Sequence, residues 1–139
     1  MGETRRLEAP PSPTEITRRV KEGHARILAL FQQYLATPPD VREALVEQIL
    51  QVLTSQLEME ENFLFEKLRK SGSEGRRRTG AIEAEYEEVR TMVLELQQSE
   101  GDDDQALDEF FEDMMQSVRA LFISEERDLF PLIDRSLDA

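Results

Sequence analysis

The chain of 139 residues has no cysteine, no tryptophan and a single histidine, His24. Without cysteine there is no disulfide, no thiolate metal site and no cysteine nucleophile. With one histidine, any metal centre holds at most one imidazole. Bases are scarce as well: 17 Lys and Arg stand against 30 Asp and Glu, a net charge of −13. Such a field repels phosphate backbones and anionic headgroups, so neither nucleic acid nor a membrane surface is an expected partner. No apolar run is long enough to cross a bilayer, and no signal-peptide pattern is read. Met1-Gly2 is followed by Arg6 where a myristoylation signal needs Ser or Thr. A cytoplasmic protein is expected. A nucleophile–base pair, a glycine-rich phosphate loop and a basic aromatic groove are all missing, which argues against a hydrolase or a nucleotide enzyme.

What the chain does have is helix-forming sequence, rich in Leu, Glu, Gln and Arg, with proline confined to the ends and one loop. Residues 1–11 read as a flexible tail. Ser12-Pro13-Thr14-Glu15 is a helix start, with Ser12 as N-cap, Pro13 in the first turn and Glu15 closing a capping box. This first helix runs to about Ala36. Thr37-Pro38-Pro39-Asp40 repeats the signal for a second helix reaching about Lys70. The stretch SGSEGRRRTG, Ser71 to Gly80, reads as a loop. A third helix spans roughly Ala81 to Gln98. EGDDD, Glu100 to Asp104, is an acidic loop whose aspartates can cap a fourth helix from about Gln105 to Ile133, tightened or kinked near Pro131. Four helices joined by short connections predict an all-α, antiparallel up-down-up-down bundle occupying residues 12–139.

Laid out at about 100° per residue, each helix shows an apolar stripe. In the second it runs Leu45, Ile49, Val52, Leu53, Met59, Phe63, and Gln56 and Glu60 fall inside it. In the fourth it runs Leu107, Phe111, Met114, Val118, Leu121, Phe122, with Glu125 near its centre. Tyr86 lies within the stripe of the third helix, and His24 toward the edge of that of the first. Glu58, Glu61 and Glu126 fall outside and read as solvated. A motif also repeats: LEMEENFLF, Leu57 to Phe65, and FISEERDLF, Phe122 to Phe130, share Glu-Glu-x-x-Leu-Phe. Two inward carboxylates on facing helices need a partner, since a buried lone carboxylate is costly. That partner is either a cation or a hydrogen-bonded network with His24, Tyr86 and Gln56.

At these residues the chain resembles the hemerythrin-like (cation-binding) family. The carriers are Gly23 to Ile27, LEMEENFLF, EYEEVRTMVLEL (Glu85 to Leu96) and SEERDLFPLI (Ser124 to Ile133), in order and at this spacing. The resemblance implies a hemerythrin-like bundle with a non-haem iron site of one or two ions, or another divalent metal, in its core. It maps metal ligation onto His24, Glu60 and Glu125. Gln56 and Leu121 stand where the family has histidines in a His-x-x-x-Glu pattern, and Ile82 and Tyr86 where the third helix supplies its own. A five-histidine oxygen-carrying centre is excluded. The expected role is a variant, carboxylate-rich site for sensing or metal handling, with His24, Glu60, Glu125, Tyr86 and Gln56 as site residues. The alternative is a metal-free bundle that has become a protein-interaction or regulatory module, favoured by Leu121 and Ile82 packing where ligands would stand. An oxidase or peroxidase-like activity would need the metal first.

Overall fold

The computed structural model describes residues 12–99 and 104–135. Helix α1 is Pro13–Ala36, opened by the Ser12 side chain, which accepts from the Glu15 backbone N–H at 3.2 Å. A 3₁₀ turn, Pro39–Val41, leads into α2. This second helix begins as Glu43–Met59, widens through a π-helical turn, Glu60–Phe65, and ends as Glu66–Arg69. Helix α3 is Ser73–Gln98. Helix α4 begins as Asp104–Ser124, widens through a second π turn, Glu125–Leu129, and ends as Phe130–Arg135. α1 packs on α2 and on the end of α4, and α3 packs on α2 and α4. That is the up-down-up-down bundle the pattern predicts. The expected tail, residues 1–11, and most of the acidic loop lie outside the described residues. No described helix is long and apolar enough to cross a membrane.

The core follows the predicted stripes for most of its length. Val20, Ile27, Phe31, Tyr34, Ile49, Leu53, Val89, Met114, Val118 and Leu121 are all fully buried. Each large side chain removed from water stabilises the fold by roughly 1.5–3 kcal/mol. At the end of the bundle away from the cluster, Arg42 fastens the close of α1. Its Nε donates to Tyr34 O at 3.2 Å and Thr37 O at 2.8 Å. The Tyr34 hydroxyl donates to Asp108, and burial together with that carboxylate pushes its pKa up to about 12.

Three expectations change. The loop placed at Ser71 to Gly80 shrinks to the Ser71-Gly72 connection, with Gly72 at φ 121°, and the rest is the first two turns of α3. Its glycines do not loosen it. Gly75 presses so close to Leu68 O that a Cβ would overlap that oxygen, and Thr79 is buried with its hydroxyl donating to Gly75 O at 2.7 Å. Glu74 lies within ion-pair distance of Arg77 and Arg78 along the helix. Second, Phe63 is 42% exposed. In an unbroken α-helix the stripe through Gln56 and Glu60 would reach it. The π turn inserts one residue into the spiral and advances the inner face, so Leu64, Phe65 and Leu68 are buried instead. Third, the helix before Pro131 is widened, not tightened. Phe130 N–H bonds back to Glu125 O, five residues earlier, as Glu66 N–H does to Glu61 O.

Candidate metal centre

The two copies of Glu-Glu-x-x-Leu-Phe are the two π turns. Each opens with the glutamate that points inward, and Glu60 and Glu125 are both 0% exposed. π turns of this kind concentrate at functional sites, because the inserted residue re-aims side chains without ending the helix. His24, placed at the stripe edge by the helical wheel, is in fact buried at 1% exposure. Its ring stacks on Phe122 at 3.6 Å between centroids and lies 6.0 Å from Phe130.

His24 Nε2 lies 3.0 Å from Glu60 Oε2 and 3.1 Å from Glu125 Oε1, and the hydrogen-bond geometry selects Glu60. Nδ1 lies 2.7 Å from Glu126 Oε2. A carboxylate accepts, so Nδ1 carries a proton and donates it to Glu126. This fixes the ring and places Nε2 between the two carboxylates. Gln56 Nε2 donates to Glu60 Oε2 at 2.9 Å and to Val20 O at 3.3 Å. The Gln56 amide occupies the space a Cβ would take at Gly23, so glycine there makes room for the amide.

The remaining oxygens are the feature to explain. Glu60 Oε1 and both oxygens of Glu125 are buried without a hydrogen-bond donor among the described residues. Burial in the first place, then the Glu60 carboxylate beside it and the further charges of Glu126 and Glu85, hold the Glu125 carboxyl well above the ordinary carboxylate range. Buried carboxylate oxygens are ordinarily satisfied, and such a set around an imidazole nitrogen fits a cation. One ligand atom each from His24, Glu60 and Glu125 lies within 4.8 Å of the others.

Of the five residues singled out in the sequence, the structure brings four together: His24, Glu60, Glu125 and, hydrogen-bonded to Glu60, Gln56. It turns the fifth elsewhere. The Tyr86 hydroxyl donates to Leu57 O at 2.8 Å, its ring meets Phe65 edge-on at 4.9 Å, and burial pushes its pKa up. Glu126, read as solvated, also reaches the cluster, through His24 Nδ1. Its side chain is 41% exposed yet reaches His24. The only signal for it is that the acid doublet occurs in both motif copies.

A four-helix bundle with an imidazole and two carboxylates at its centre defines a class of helical, core-site proteins. Within that class the assignment is direct: a model of the hemerythrin HHE cation-binding domain matches residues 15–133, and the chain belongs to that family. Comparison with curated proteins and with solved structures each returned no match.

Proposed function

We propose that this bundle binds a metal cation through His24 Nε2 and the carboxylates of Glu60 and Glu125, as a sensor or metal-handling domain and not as an oxygen carrier. One observation carries the reading: three buried carboxylate oxygens lack donors, and one of them, Glu125 Oε1, lies 3.1 Å from an imidazole nitrogen whose partner nitrogen is held by Glu126. A bound ion would supply positive charge where burial makes the carboxylates costly. The chain's own groups do the rest. Glu126 holds the ring, Gln56 orients Glu60, and Phe122 covers one face of the imidazole. Carboxylates with a single imidazole suit iron, manganese or zinc better than soft metals.

The rival reading, a metal-free interaction module, is favoured by one observation, the raised pKa of Glu125. A protonated Glu125 beside an imidazolium at His24 would leave the cluster close to neutral without any ion. Elemental mass spectrometry decides between them. Protein purified without tag or chelator and then incubated with ferrous iron should retain metal, and Glu60→Ala and Glu125→Ala should not. Wild-type protein that retains none would establish the metal-free reading.

A further inference from the structure

The two π turns are related by more than sequence. Phe130 of the second lies against His24, and Phe65 of the first lies against Tyr86. His24 stacks on Phe122, three residues before Glu125, while Tyr86 bonds to the carbonyl of Leu57, three residues before Glu60. The halves α1–α2 and α3–α4 thus place His24 and Tyr86 at corresponding positions, and likewise Gln56 and Leu121, each four residues before its inward glutamate. A two-fold site built on this plan would offer two ions equivalent surroundings. Here the plan is followed on one side alone. Tyr86 directs its hydroxyl to a backbone carbonyl, and Leu121 is apolar and fully buried.

Building on the cation reading, we infer that the centre takes one divalent ion and has no place for a second. The donor atoms are Nε2 and the four oxygens of Glu60 and Glu125. A second ion would have to share these, because the positions corresponding to Gln56 and to a third-helix ligand hold Leu121 and Ile82, apolar and buried at 0% and 2% exposure. Charge leads to the same count. Two buried carboxylates balance one divalent ion, whereas a pair of divalent ions would leave two positive charges in a low-dielectric core, with only the partly exposed Glu126 and Glu85 as further acids acting on Glu125.

The test uses manganese(II) as the probe. The full chain is loaded under nitrogen and desalted, its metal counted by elemental mass spectrometry, and its spin state read by electron paramagnetic resonance. One ion per chain with an uncoupled six-line spectrum, retained in Tyr86→Phe, is the expected result. Two ions per chain, or an exchange-coupled spectrum, would overturn the single-ion inference while leaving the cation reading intact. Loss of the ion in a folded Tyr86→Phe would overturn the claim that the phenol is not a ligand. No retained manganese, checked against iron and zinc, would remove the inference together with the reading beneath it. Ferric loading supplies a second readout: no visible phenolate band should appear.

Discussion

The turn at Glu60 and the turn at Glu125 begin from one motif and end in different electrostatic states. Glu60 has an amide one helical turn earlier, and Gln56 donates to it. Glu125 has Leu121 in that place, and neither of its oxygens has a donor. The second acid of each doublet diverges as well. Glu61 goes outward to Arg69, which also holds Glu83 and so ties α2 to α3 on the surface, the two carboxylates holding the Arg69 pKa up. Glu126 turns to His24. One glutamate has a side-chain donor on one of its oxygens and the other has none on either. Donor supply, and not backbone geometry, separates them.

Removing the imidazole should have the largest effect. His24→Ala deletes the one nitrogen donor and should lower cation affinity by at least about 100-fold, roughly 2.7 kcal/mol, in a manganese titration. Glu126→Gln keeps the shape but weakens the hold on Nδ1, and should cost about 10-fold. An equal effect of the two would mean that the ring's orientation matters as much as its presence.

Gly23→Ala attacks the better-satisfied side. The new Cβ overlaps the Gln56 amide, so Gln56 must leave Glu60, and thermal unfolding should show a loss of about 1–3 kcal/mol. Unchanged stability would mean that the amide has another place to go.

The two glutamates should respond oppositely in metal-free protein. Glu125→Gln replaces a carboxyl without donors by a neutral isostere and should raise stability by about 1 kcal/mol. Glu60→Gln sets an amide against the amide of Gln56 and should not. Matching responses would erase the proposed asymmetry.

The smallest effect is a slope with pH. The folded pKa of Glu125 is raised above its usual 4.5, so the folded state holds this proton more tightly than the unfolded chain. Its contribution is complete below the unfolded value and is lost as pH rises through the folded one. The melting temperature of metal-free wild type should therefore fall relative to Glu125→Gln as pH rises above 4.5. Leu121→Gln, which lends Glu125 the donor that Glu60 has, should flatten the fall.

The bundle was legible because stripes at helical spacing and a clear capping box at Ser12 are local signals. His24, Glu60, Glu125 and Gln56 were legible from the family's order of motifs and from carboxylates lying inside apolar stripes. Phe63 was misplaced because a wheel drawn at constant pitch has no inserted residue, so the inner face moves on through the π turn, whereas Glu126 does lie partly exposed and its reach to His24 has no counterpart at Glu61. Pro131 hints at irregularity in α4, but Glu66 holds the corresponding place in α2 and gives no hint. The first turns of α3 were hidden by glycines chosen for close packing at Gly75 and a positive φ at Gly72, which look in sequence like a flexible loop.

The central claim, that Glu60 and Glu125 are held apart in character so that an ion can join them through His24, is tested most directly by crystallography. Crystals grown with manganese should be measured for anomalous scattering at the metal edge. The account predicts one anomalous peak per chain, bonded to His24 Nε2 and to both carboxylates, with Nδ1 still donating to Glu126. A core with no peak, and with Nε2 hydrogen-bonded to Glu60 beside a protonated Glu125, would contradict it.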